Sequence, residues 1–182
     1  MPKMIFAVKD THSDSAGRRR AERMLKSGGI HIFFIEWPTP VDREDIRGSF
    51  KGVANDAEPS LSELARVAFD LGIDVVSCDL TAEETLKRLD VLNPAYAPHL
   101  LPSAFQAWGK GVRDTHAAAV IAKYMWRHPN PNCRGLVMFG ADHFKDEDGR
   151  GTLPLQKLIK AASTFDCFIV NNDSVDVSYP KE

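Results

Sequence analysis

The sequence predicts an α/β fold, a mostly parallel sheet of about five strands with helices on both faces. Three observations predict it. Short apolar runs rich in β-branched and aromatic residues recur along the chain, at Met4–Val8, Ile30–Ile35, Ile73–Ser77, Leu136–Phe139 and Cys167–Val170, as suits strands buried on both faces. Stretches with helical spacing separate them. Glycine and proline punctuate the junctions.

Met4–Val8 is the first strand. Ser13, Asp14 and Ser15 offer caps for a helix through Arg23 and Leu25, and Gly28-Gly29 ends it where a left-handed turn is needed. The second strand, Ile30–Ile35, comes at once. Trp37 to Pro59 carries three prolines and many charges and reads as a long irregular segment. Ser60 or Ser62 caps a helix through Leu64, Val67, Ala68 and Leu71, closed by Gly72 before the third strand. Thr81 with Glu84 forms a capping box for a helix to about Leu92, and Pro94, Pro98 and Pro102 break up the next stretch. From about Val112 to Trp126 the pattern is helical again, with Ala117, Val120, Ile121 and Tyr124 as its apolar stripe and Arg113 one turn ahead of it. After the fourth strand, Leu153, Leu155, Leu158, Ile159 and Ala162 mark the last helix, and Cys167–Val170 the fifth strand.

With 182 residues, residues 1–182 form one domain, and a chain of this size buries roughly 70% of its unfolded surface without staples. Hydrophobic residues at 43% and charged residues at 26% exclude the composition of disorder. The net charge of −2 provides no field for nucleic acid, and Arg18-Arg19-Arg20 reads as a solvated helix face. Cys78, Cys133 and Cys167 are odd in number and lack C-x-x-C spacing, which points to free thiols rather than a disulfide or thiolate zinc framework. The N-terminal apolar run is too short for a signal peptide and no stretch reaches a membrane span. The expectation is a cytoplasmic protein, without excluding delivery by a signal-less secretion route.

In open parallel sheets ligands bind beyond the carboxyl ends of the strands. His12 follows the first strand, Glu36 the second, Asp79 the third and Asp142-His143 the fourth. Two imidazoles and a carboxylate match a hydrolytic metal site with an open position for water, with Asp79 as a further ligand. They match equally a metal-free site in which a histidine takes a proton from water and the carboxylate orients it. The bland readings are a helix cap for His12, an ion pair with a local arginine for Glu36, a helix-start residue for Asp79 and a solvated turn for His143. All four would have to hold at one sheet edge, and a site is the stronger reading.

Gly140-Ala-Asp-His143, after a buried strand and before an amphipathic helix, resembles the G-x-x-H motif of the superfamily that unites erythromycin esterases, ChaN-like proteins and the TIKI/TraB proteins. Asp10-Thr-His12 stands where their N-terminal histidine motif lies, Ile35-Glu36 where the glutamate follows the second strand, and Arg113-Asp114 where an arginine opens the long helix. Gly72–Asp79 is similar to the third-strand segment. The chain departs from the pattern at Lys9, where glycine is expected, and is shorter between Asp79 and Arg113. The resemblance implies lactone or ester hydrolysis, metal-dependent peptide cleavage, or haem binding. Carried onto this chain, it makes His12 a base or ligand, Glu36 a water-orienting carboxylate or ligand, His143 a ligand or second acid/base, and Arg113 a clamp on a developing oxyanion. An ion pair of Arg113 with Glu36 or Asp79 predicts the same contact.

Other candidates have plainer readings. His116 is a packed helix histidine before it is a site residue, and Cys78 a buried inert thiol before it is a nucleophile. Gly109-Lys-Gly111 and Gly149-Arg-Gly151 lack the spacing of nucleotide loops. Trp37 and Trp108 line a pocket or fill core, and Trp126 is assigned to the core. The first hypothesis is therefore a hydrolase acting on an ester, lactone or amide of a small molecule or peptide, assisted by a divalent metal such as Mn, Co or Zn. The alternatives are a non-catalytic haem- or iron-binding protein and an effector that binds a host protein.

Overall fold

The computed structural model describes residues 2–11, 15–51, 58–92, 102–145 and 153–171, without the side chains of 90–92 and 102–108. Its strands are β1 (Met4–Asp10), β2 (Ile32–Ile35), β3 (Asp74–Ser77), β4 (Arg134–Gly140) and β5 (Asp166–Ile169). Its helices are α1 (Ala16–Lys26), α2 (Ile46–Ser49), α3 (Leu61–Asp70), α4 (Ala82–Leu92), α5 (Pro102–Arg127) and α6 (Leu155–Ser163), with a 3₁₀ turn at Ala141–Phe144. The strands form one sheet in the order β3-β2-β4-β1-β5, and every neighbouring pair is parallel. The predicted α/β class is the observed one.

Alternation along each strand builds two cores. Ile5 and Ala7, Ile32 and Phe34, Val137 and Phe139 face the layer of α5 and α6, where Ala117, Ile121, Met125, Leu155 and Ile159 pack on them. Val8, Phe33, Ile35, Leu136 and Met138 face α1 and α3, meeting Met24, Leu25, Leu64 and Ala68. Strands buried on both sides need no polar face, which is why they read as continuous apolar runs.

The chain moves outward from β1 through β2 to β3, then returns to β4 and on to β5. The segments after β2 and β4 therefore lead to helices on opposite faces, opening a crevice where these two adjacent strands end. The caps hold the neighbouring helices in place. Ser60 and Glu63 complete a capping box at α3, and Thr81 with Glu84 does the same ahead of α4. Gly28 and Gly29 both adopt φ of +81° after α1, a conformation open to glycine at little cost.

Several expectations are corrected. Helix α5 begins at Pro102, ten residues ahead of the predicted start, because proline at a first helical position gives up an amide that has no partner there anyway. Its buried stripe runs through Asp114, Ala117, Ala118, Ile121 and Met125, while Tyr124 and Trp126 are 44% and 59% exposed. Trp126 lies outside the core, its ring against Phe165 with centroids 4.9 Å apart. Arg18 is no solvated residue either. It is 2% exposed and donates to the buried Asp10 carboxylate, at 3.2 Å from Nη2. Ser15 occupies the N-cap of α1 without a side-chain cap bond, and the irregular segment after β2 contains the short α2, capped by Asp45. The fifth strand starts one residue early, and Val170 still donates to Ala7. No helix among the described residues is long and apolar enough to cross a membrane.

Candidate functional site

Glu36 is the first residue past β2. Its amide still pairs with Met138 of β4 at 3.2 Å, so the strand-like path continues for one more residue. Ile35 belongs to the core on the α1 and α3 side, and alternation turns Glu36 toward α5. There Oε2 accepts the Gly140 amide at 2.6 Å. Oε1 accepts both Arg113 Nη2 at 2.7 Å and His143 Nε2 at 3.1 Å. Gly140 permits this approach, because a Cβ there would stand 3.2 Å from Glu36 Oε2 and 3.4 Å from the His143 ring.

Arg113 reaches across from α5. Its Nε donates to Asp79 Oδ1 at 2.6 Å and its Nη2 to Asp79 Oδ2 at 2.5 Å, a two-point grip on the carboxylate that follows β3. Asp79 also accepts the Leu80 amide at 2.7 Å. On the far side of the site, the 3₁₀ turn after β4 carries His143, whose ring stands edge-on to Phe139 at 5.5 Å. His143 Nδ1 bonds Asp114 Oδ1. The result is one continuous chain of contacts: Asp114, His143, Glu36, Arg113, Asp79.

The electrostatics derive from that chain. For Glu36, burial favours the neutral acid, but the His143 contact, the Gly140 amide and Arg113 outweigh it and hold the carboxyl at about 2. Burial works against charging His143 as well, yet Asp114 and Glu36 raise it to about 9. It is therefore an imidazolium at neutral pH. Arg113 is raised further above its ordinary value by Asp79 and Glu36 against the opposing effect of burial. Burial pushes the Asp114 carboxyl upward, and His143 pulls it back. The Oδ2 atom of Asp114 is buried with no hydrogen-bond partner among the described residues. Three carboxylates thus stand against two cations, leaving one net negative charge in the network.

Of the residues singled out from sequence, Glu36, Asp79, Arg113 and His143 meet in this network; His12 lies outside the described residues. His143 is not a solvated turn residue, being 7% exposed. Sequence reasoning misses Asp114, although a carboxylate at a buried position of the α5 stripe is itself a signal, since an unpaired charge there would be too costly. His116 is partly buried, with Arg88 Nη2 3.2 Å from its Nδ1, and it lines a cavity that Asp79 also borders. Cys78 is fully buried, its thiol raised by burial, and it donates to the Val76 carbonyl. That is the environment of an inert thiol. Gly109-Lys-Gly111 lies within α5. Gly149-Arg-Gly151 and the Trp108 side chain lie outside the described residues.

Among the described residues, the donors of this network are already engaged with one another. Both nitrogens of His143 face carboxylates, so neither offers a lone pair. Arg113 donates to Glu36 Oε1 and to both oxygens of Asp79, while Glu36 Oε2 accepts the Gly140 amide. Among the described residues, no group of three or more His, Cys, Asp or Glu is arranged to hold a metal ion.

No family model matches the chain, and no curated protein matches it. Among solved structures it is similar to RRSP, a MARTX toxin effector domain from Vibrio vulnificus CMCP6, with a TM-score of 0.47 and 14% identity over 93% of this chain. A structure described as "Bacterial protein toxins" gives the same values. The chain spans about a third of the length of these solved chains, 34% in each.

Proposed function

We propose that the network at the ends of β2, β3 and β4 is a hydrolytic site acting on the carbonyl of an ester, lactone or amide. The observation that carries this reading is the convergence of two cationic donors, Arg113 Nη2 and His143 Nε2, on one point, now taken by Glu36 Oε1. Fixed cationic donors aimed at one position are what a developing oxyanion requires. His143, kept protonated by Asp114 behind it, is placed to give its proton to the leaving group. Displaced from that point by the substrate oxygen, Glu36 keeps Oε2 on the Gly140 amide and turns Oε1 to the attacking water. His12, two positions after β1 in the sequence, is the remaining candidate for the base. The motifs around Gly140, Glu36 and Arg113 support the proposed kinship with the esterase, ChaN-like and TIKI/TraB superfamily on the same residues.

The test is turnover of a panel of p-nitrophenyl esters, lactones and chromogenic amides by the purified protein, with and without chelator. Chelator-insensitive turnover is expected, lost in His143→Ala and strongly reduced in Glu36→Gln. Unchanged turnover in either variant would remove the proposal. The alternative of an effector that binds a host protein needs no chemistry at this network. It would gain ground if partner binding survived both substitutions while no member of the panel was hydrolysed. A haem or iron carrier would show an intense visible band on loading with haem, which His143→Ala would abolish.

A further inference from the structure

A cavity of about 250 Å³ borders Asp79 and is lined by residues 38, 40 and 41 after β2, by Val75, Val76 and Ser77 of β3, and by Glu84, His116 and Tyr124. Strand β3 is the outermost strand on its side of the sheet. The amides of Asp74 and Cys78 donate to His31 and Ile35 carbonyls, toward β2. In a parallel ladder alternate residues turn their amide and carbonyl the same way, so those of Val75 and Ser77 point away from β2, into the cavity. Edge strands are commonly blunted by lysine, proline or a bulge. The four residues of β3, Asp74-Val-Val-Ser77, include neither lysine nor proline, and their one charge, the exposed Asp74, stands at the start of the strand.

The walls continue this pattern. The side chain of Val76 belongs to the core on the α5 side and Val75 packs on the α1 and α3 side. A strand added beside them would therefore alternate in the same way. One set of its side chains would meet Pro38, Pro40 and Val41, which are apolar. The other set would meet Glu84, His116 and Tyr124, a polar wall in which Glu84 Oε2 accepts from Thr81 and His116 Nδ1 faces Arg88. We propose that the groove along the outer edge of β3, unpaired among the described residues, receives an extended segment of a partner protein as a sixth strand, with apolar residues alternating with polar ones. The backbone of Val75 and Ser77 supplies the hydrogen bonds, and the two walls supply the preference for sequence. This docking stands apart from the hydrolytic reading and would hold in a chain without turnover.

The test uses fluorescently tagged, end-blocked hexapeptides that alternate Val with Lys, Ile with Thr, and Leu with Arg, together with versions N-methylated at every second residue. Binding by at least one parent peptide is expected, with slowed hydrogen exchange at the Val75 and Ser77 amides. The N-methylated versions and the Val75→Pro variant should each bind about tenfold or more weakly, the worth of the lost strand hydrogen bonds. The outward amide of Val75 makes Val75→Pro tolerable to the sheet. Should that variant fail to fold, the N-methylated peptides against the unaltered chain decide. No binding by any parent peptide, equal binding by the N-methylated set, or unchanged affinity in folded Val75→Pro overturns the proposal. So does a dimer of the chain that Val75→Pro dissociates, since the groove would then hold a second copy.

Discussion

Asp114, on α5, and His143, 29 positions later in the turn after β4, meet ring nitrogen to carboxylate in the interior, where Asp114 is 1% exposed. The carboxylate stands behind the ring, so the imidazole keeps its second nitrogen directed at Glu36 and its proton secure. This pairing makes His143 a proton donor at neutral pH and leaves it ill suited to act as a base.

Asp114→Asn should therefore lower the titration of His143 from about 9 toward the ordinary histidine value, because the replacement removes the charge that favours the imidazolium. The ring protons of His143 followed by NMR across pH 5 to 10 give the midpoint directly. An unmoved midpoint would mean that Glu36 alone holds the charge.

Stability should depend on pH in two windows. His143 has a folded value raised from 6.5 to about 9, so its contribution is complete below about 6.5 and is lost as pH rises through about 9. Glu36 has a folded value lowered from 4.5 to about 2, so its contribution is complete above about 4.5 and is lost as pH falls through about 2. Urea midpoints measured from pH 2 to 10 should show a plateau between these limits, and His143→Ala should flatten the alkaline slope and also weaken the acid one, since the His143 contact is the largest influence lowering Glu36.

Gly140→Ala should disturb the site without disturbing the strand. The added Cβ would crowd Glu36 Oε2 and the His143 ring, pushing the carboxylate off the Gly140 amide. A loss of about 1–2 kcal/mol is expected from one charge-assisted hydrogen bond. Thermal melting and turnover measured together check this, and a variant with both unchanged would show that the close approach has no consequence.

Arg113→Lys keeps the positive charge but cannot hold Asp79 through two nitrogens and Glu36 through a third contact. About 1–3 kcal/mol of stability should be lost with the unsatisfied carboxylates, and turnover should fall even on substrates whose binding is unchanged. Equal rates in Arg113→Lys and the unaltered chain would reduce the residue to a charge with no geometric role.

Neighbouring residues on α5 separate the buried from the exposed stripe. Met125→Ala, at 0% exposure, should cost about 2–5 kcal/mol. Trp126→Ala, exposed and resting on Phe165, should cost no more than about 1.5 kcal/mol. Denaturant unfolding of both variants checks the register of the helix.

Local rules make much of the fold legible. Apolar runs at Met4–Val8 and Leu136–Phe139 are strands because a segment covered on both faces tolerates no polar alternation, and the Ser60 and Thr81 capping boxes mark helix starts through contacts only three residues apart. The same rules place Glu36, Asp79 and His143 at one sheet edge, since residues that come after parallel strands share an edge; Arg113, inside α5, is legible only through the helix pattern and the family resemblance. Where the signal is ambiguous by one position, they fail. Asp114 rather than Arg113 heads the buried stripe of α5, and Trp126 is exposed beside the buried Met125, because hydrophobicity alone cannot fix the rotation of a helix whose two sides both carry apolar groups.

The sequence by itself determined the order of strands and helices, the caps between them and the residue types gathered beyond the strands, because these depend on neighbours a few positions apart. The tertiary structure alone decided which groups share protons and charge. The strand order puts β4 between β2 and β1, which sets Gly140 and His143 against Glu36 and brings Asp114 behind the ring. Such contacts join residues tens of positions apart, and their energies depend on burial and distance that exist only once the sheet has formed.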